Sequence, residues 1–200
     1  QQFQNVLKSV GDLERLMAKV ATQRIGPRAV NQLKHTLRLL PEVQTLTAAS
    51  QEQALQDLGE NLNLCEELCV LIEERLDEEA PAQLGKGDAI AKGFSPELDE
   101  YRNMARGGKD YLDQMLERET EQTGIPSLKI AFNNVFGYYI EVRNTHKDKV
   151  PDHWIRKQTL VNAERYITEE LKTYESKIMG AEEKISALES QLYQQLVADL

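Results

Sequence analysis

The amino-acid sequence predicts a mainly α protein with a small antiparallel β insert: a helical bundle core, followed by a long antiparallel helix pair with a β-rich tip. The first observation is a seam. Apolar or small residues recur in alternating steps of three and four at Leu98, Tyr101, Ala105, Gly108, Leu112 and Met115. They recur again at Leu171, Tyr174, Ile178, Ala181, Ile185, Leu188, Leu192 and Leu196. This is the spacing of one helix packed lengthwise on another. The second observation is that the period changes to two between these series. The third is composition: aromatic residues make up 6% of the 200 residues and there are six prolines, a balance that favours helix.

The first part, to about Glu79, reads as helical. Asp12 to Thr22 carries Leu13, Leu16, Met17 and Val20 on one stripe. Gly26-Pro27 breaks that pattern, and Pro27 suits the first turn of a second helix, with Val30, Leu33, Leu37 and Leu40 inside and Pro41 interrupting it. A shorter helix is expected near Gln51 to Leu58. A strongly apolar one follows over Leu64 to Leu76, with Leu68, Leu71 and Ile72 buried. Pro81, Gly85, Gly87 and Gly93 mark a connector that holds a short hairpin around Ala89 to Ala91.

Ser95-Pro96-Glu97 starts the ascending helix, with Ser as N-cap, Pro in the first turn and an acid near the positive dipole end. Gly107-Gly108 marks a bend or a close helix approach, and Gly124 ends the helix just before Pro126. Leu128, Ile130 and Phe132 then alternate with polar or small residues, and Tyr138 to Val142 form a second β-like run after a turn or bulge at Gly137. Ile155 to Ile167 alternates once more, giving a three- or four-stranded antiparallel sheet. Thr168 caps the descending helix, which would be about 50 Å long at a rise of roughly 1.5 Å per residue. The predicted organisation is residues 1–94 core, 95–124 ascending helix, 125–167 β-rich tip and 168–200 descending helix.

Charge is unevenly placed. The chain has 24 basic and 33 acidic side chains, a net charge of −9. Residues 125–167 hold seven basic against four acidic side chains, a local balance of +3 that leaves −12 for the rest. A basic tip on an acidic stalk points to an anionic partner. No phosphate-cradling glycine loop is recognised, because Gly85-Lys86-Gly87 lacks the flanking strand and helix. His146 and His153 lie seven apart in a polar loop without a nucleophile or ligand set. Cys65 and Cys69, spaced i, i+4 on an apolar helical face, read as buried free thiols. No apolar run is long enough to cross a bilayer. The chain starts at Gln1 and its helical pattern continues to Leu200, so it is read as a piece of a larger protein.

Binding therefore remains. Lys147, Lys149, Arg156, Lys157 and Arg165 can meet phosphates by charge. Asn133, Asn134, Arg143, Gln158, Thr159 and Asn162 can donate hydrogen bonds to phosphate oxygens. Each is equally readable as an ordinary surface residue, and Asn162 as a hydrogen bond that closes the sheet.

Four stretches, in order, carry a family resemblance. They are Val10-Gly11-Asp12-Leu13-Glu14-Arg15-Leu16; Gly93-Phe94-Ser95-Pro96-Glu97-Leu98-Asp99-Glu100; Leu128 through Ile140; and Arg156 through Thr168. The sequence resembles the MutS family of DNA mismatch-repair proteins over essentially its whole length. The resemblance implies a helical core, two lever helices and a clamp that closes over double-stranded DNA by sequence-independent backbone contact. It implies a homodimer, a MutL-like repair partner, a cytoplasmic, nucleoid-associated setting, and an ATPase using ATP and magnesium in the parent protein. The family's mismatch-reading Phe-x-Glu and its nucleotide site are not found here, so neither enzyme activity nor any cofactor is expected of this segment itself. Val161 stands where relatives often carry a basic residue. The rival reading is a coiled-coil arm whose β tip binds a protein.

Overall fold

A computed structural model describes residues 2–200. The chain divides into two compact units, Gln1–Pro96 with Ser186–Leu200, and Glu97–Ile185.

The first unit contains α1 (Gln2–Ser9), α2 (Leu13–Ala21), α3 (Pro27–Leu37), α4 (Leu40–Ala48), α5 (Gln53–Glu60) and α6 (Glu66–Arg75). The final turns of α8 (Glu169–Asp199) complete it. Asp12 caps α2 by accepting the Arg15 amide at 3.0 Å. Pro27 occupies the first turn of α3, where it forfeits no helical hydrogen bond. Val30, Leu33, Ile72, Ile90 and Leu196 are among the side chains that water barely reaches.

Several buried polar groups in this core are paired, although the Asn31 Oδ1 oxygen has no hydrogen-bond donor. Lys34, 1% exposed, ion-pairs with Glu78. Asn31 donates to the carbonyls of Asp77 and Glu78 at 2.8 and 3.0 Å. The Tyr193 hydroxyl donates to the Ile25 carbonyl at 2.8 Å. The buried Glu189 accepts the Ala89 amide at 2.9 Å.

Several expectations for this unit are corrected. Pro41 opens α4 rather than merely ending a helix, because the first turn tolerates the missing N–H. The hairpin expected at Ala89 to Ala91 is a single antiparallel bridge, Leu76 to Ile90. Cys65 precedes α6 in a left-handed conformation, φ +52°, so the two thiols do not share a helix face. Both are free but only half-buried. Ile72 is buried, whereas Leu68 and Leu71 are half-exposed.

The second unit pairs α7 (Pro96–Thr123) with the first half of α8 in antiparallel fashion. The contacts run in opposite order along the two helices: Arg118 Nη2 to Glu170 Oε2 at 2.7 Å, Tyr111 stacked on Tyr174 with ring centroids 3.6 Å apart, and Lys109 Nζ to Glu182 Oε1 at 2.6 Å. The predicted seam is buried at Leu98, Ala105, Gly108, Leu112, Met115, Leu171, Ile178 and Ala181. Gly108 is a place of close approach. A β-carbon there would lie 2.5 Å from Ile178 Cγ1, whereas one at Gly107 would meet nothing within 4 Å.

Where α7 ends and α8 begins lies a four-stranded antiparallel sheet of order β1-β2-β4-β3. Its strands are β1 (Lys129–Asn133), β2 (Gly137–Arg143), β3 (Ile155–Thr159) and β4 (Ala163–Ile167). The run read as one alternation from Ile155 to Ile167 is two strands, because the chain reverses at Leu160 to Asn162, where the Leu160 amide donates to the Ala163 carbonyl at 2.8 Å. Ile140, Val142, Leu128, Trp154 and Tyr166 pack with Leu112, Met115, Leu171 and Ile178 into one core. Thr168 caps α8 through its hydroxyl, 3.0 Å from the Leu171 amide.

The two adjacent glycines give a paired test. Gly108→Ala should destabilise the protein by about 1–3 kcal/mol, because its methyl displaces Ile178. Gly107→Ala should be neutral or stabilising by up to about 1 kcal/mol through helix propensity. Chemical denaturation of both variants measures the difference, and equal stabilities would contradict the fit.

Candidate nucleic-acid interface

Strand alternation sends Tyr138, Ile140 and Val142 of β2 toward the helices and Tyr139, Glu141 and Arg143 to the opposite face. On that opposite face the register aligns Lys129, Glu141, Arg165 and Gln158 across all four strands. Arg165 is held within this row. Its Nε donates to Glu141 Oε2 at 3.0 Å and its Nη1 to Gln158 Oε1 at 2.9 Å. Its guanidinium carbon lies 4.3 Å from the Tyr139 ring centroid. Arg165 and Gln158, both expected to face phosphate, thus have partners inside the sheet.

Arg156 is also engaged, with Nη1 3.2 Å from Glu164 Oε1. The Tyr166 hydroxyl donates to the other Glu164 oxygen. This hydrogen bond, followed by Arg156, holds the Glu164 carboxyl below the usual carboxylate range. Burial first, and the Glu164 carboxylate second, push the Tyr166 phenol up to about 12. Between Arg156 and Gln158 the register shifts, leaving Lys157 as the exposed extra residue of a bulge.

The remaining expected residues fall into separate groups. Arg143 ends β2 opposite Ala163, and a 3-10 helix, Asn144–Lys149, follows it. Asn144 fastens that helix to the β3–β4 turn. Its amide donates to the Asn162 carbonyl at 3.1 Å and its Nδ2 to the Val161 carbonyl at 3.0 Å. Arg143, Lys147, Thr159 and Asn162 are therefore exposed at the same end of the sheet. Val161 crowns the turn at 91% exposure. Lys149 turns elsewhere, its Nζ 3.3 Å from the Gly124 carbonyl at the end of α7.

Asn133 and Asn134 lie at the opposite end of β2, about 20 Å away at roughly 3.3 Å per residue. Asn133 Oδ1 accepts the Val135 amide at 2.7 Å, so its oxygen shapes the turn. Gly137, at φ +81°, closes that turn against Glu175, whose Oε2 accepts the Tyr138 amide at 3.1 Å. The eleven expected residues thus do not form one patch. Asn144, absent from the sequence-derived set, organises the largest group; an Asn directly after a β run and before a polar loop is the signal that could have revealed it. Among the described residues, no group of three or more His, Cys, Asp or Glu could hold a metal ion, and no helix is long and apolar enough to cross a membrane.

A helix pair bearing a small four-stranded sheet is the architecture over which residues 93–184 match the MutS family domain IV model. The chain is 60% identical over 196 residues to the DNA mismatch repair protein MutS of Christiangramia forsetii, covering 98% of this chain and 22% of that protein. It is 57% identical over 198 residues to the MutS of Flavobacterium psychrophilum, covering 99% and 23%. With the MutS of Parabacteroides distasonis the identity is 59% over 194 residues, covering 97% and 22%. This chain belongs to the MutS family. It spans between a fifth and a quarter of the length of these curated relatives.

The Tyr166–Glu164 pair makes a pH prediction. The folded state raises the phenol above its ordinary value of 10, so its contribution to stability is complete below pH 10 and is lost as pH rises toward about 12. Tyr166→Phe should remove, from the ultraviolet titration of the native protein, one of the tyrosines that ionise above the ordinary value. Glu164→Gln should lower the Tyr166 value only in part, since burial is the larger cause. Complete normalisation in this variant would refute the ordering of the two causes.

Proposed function

We propose that this chain is the core, lever and clamp portion of a DNA mismatch-repair protein, and that its sheet end holds duplex DNA by sequence-independent contacts with the sugar-phosphate backbone. The observation that carries the reading is the grouping of exposed Arg143 and Lys147 with Asn162 about a turn that Asn144 fixes in place. Cations and amides on a rigid turn suit phosphate oxygens, which need charge and donors but present no base identity. Membership in a family whose relatives are named for mismatch repair supports the same conclusion. Lys157, freed from the ladder by its bulge, adds a further cation. Arg156 and Arg165, neutralised within the sheet, are secondary.

In this reading, residues 95–124 and 168–200 form the lever that links the clamp to an ATPase elsewhere in the intact protein. That ATPase would use ATP and magnesium, and the intact protein would act as a homodimer with a MutL-like partner in the bacterial cytoplasm, at the nucleoid. This segment contributes binding and mechanical linkage, with the chemistry lying outside it.

Titration of the intact protein with duplex DNA at several salt concentrations tests the proposal. Arg143→Ala and Lys147→Ala should each weaken binding equally across unrelated sequences. Each should also reduce the slope of log affinity against log salt by about 0.9 for every phosphate the variant no longer neutralises. Arg165→Ala should alter thermal stability more than that slope. Unchanged affinity and slope in the first two variants would favour a protein-binding tip.

A further inference from the structure

We propose that the first unit carries a docking cleft for a short acidic peptide segment of a partner protein. It lies where α2, the start of α3, the connector near Ala82 and α8 meet, and has a volume of about 620 Å³. That is within the range of roughly 300–1,000 Å³ typical of ligand sites. Lys19, Arg24 and Arg28 line it, and no carboxylate does. In a chain of net charge −9 this is a local reversal of sign. Arg24 and Arg28 are exposed, so their guanidinium groups are available to an incoming carboxylate.

The rest of the lining defines the partner's chemistry. Gln23, Gln32, Gln83 and Gln194 supply carboxamides, each offering both a donor and an acceptor. That pairing matches a peptide backbone, which alternates N–H and C=O; a phosphodiester offers only acceptors. Leu84, half-buried, adds apolar surface that suits an aliphatic side chain, above a floor formed by the buried Ile25, Pro27 and Tyr193. The cleft is firm. Tyr193 is anchored to the Ile25 carbonyl, the Arg28 amide donates to the Pro81 carbonyl at 3.1 Å, and a β-carbon at Gly26 would lie 2.5 Å from the Ala82 carbonyl oxygen. A rigid duplex cannot enter a recess of this size, whereas an extended segment with carboxylates flanking a Leu or Ile can. Arginine clusters recognise acidic motifs in this way.

The test uses the intact protein and fluorescence anisotropy of a fluorescein-labelled peptide, Gly-Glu-Leu-Glu-Glu-Leu-Glu, with its all-Gln analogue as control. The acidic peptide should bind at least about tenfold more tightly than the analogue, and Arg24→Ala with Arg28→Ala should weaken it by about tenfold. The charge-reversed pair, Arg24→Glu with Arg28→Glu, should instead prefer a Lys-Leu peptide of the same length, which a merely misfolded variant would not do. Absence of binding, equal binding of the two peptides, or an unaffected double variant would overturn the proposal. So would displacement of the peptide by duplex DNA together with a DNA affinity that depends on Arg24 and Arg28. The duplex-binding reading of the sheet is untouched by any failure here, because its variants, Arg143→Ala and Lys147→Ala, lie in the other unit.

Discussion

Ile178 fills the space that a side chain at position 108 would need, and the helix pair of the second unit depends on that fit. Glycine at 108 lets the two backbones approach, and the branched Ile178 occupies the notch. Leu112, Met115 and Leu171 then reach a common core with the strands. Hydrogen bonding within each helix would survive separation of the pair. What separation would expose is the apolar layer shared with Ile140, Val142 and Trp154, so the sheet and the helices hold their places together. Polar contacts such as Arg118 with Glu170 add register to this layer, while their partial exposure limits their share of the stability.

The same sheet separates charges that anchor from charges that remain available. Arg165 and Arg156 each face a carboxylate across strands, which suits sheet stability because opposite charges on neighbouring strands attract. Arg143, Lys147 and Lys157 stand at margins where alternation, a helical turn or a bulge leaves them in water. Total basic charge is therefore a poor guide to what a polyanion would meet. Position relative to acidic neighbours decides it.

Much of the fold is legible in sequence because long helices advertise themselves. The three-four recurrence from Leu98 to Met115 and from Leu171 to Leu196 needs no tertiary information, and the capping chemistry at Thr168 and Gly124 is local. The α4 helix escapes such reasoning because Pro41 reads as a stop, although the same residue is compatible with a start. The reversal at Leu160 to Asn162 is hidden by continued alternation through a turn that has no glycine or proline. The sequence-derived candidate residues are all confined to the β insert, but their division into opposite ends follows from strand order and cross-strand ion pairs. Neither can be read along a single chain.

The register shift beside Lys157 has a consequence for substitution. Elsewhere in the sheet, a residue's side is dictated by its neighbours, and exchanging it disturbs a partner across the ladder. The extra residue escapes that obligation. Its charge or length can change while the hydrogen-bonded scaffold around it stays the same, so a substitution here alters what the sheet presents to solvent without remodelling the fold.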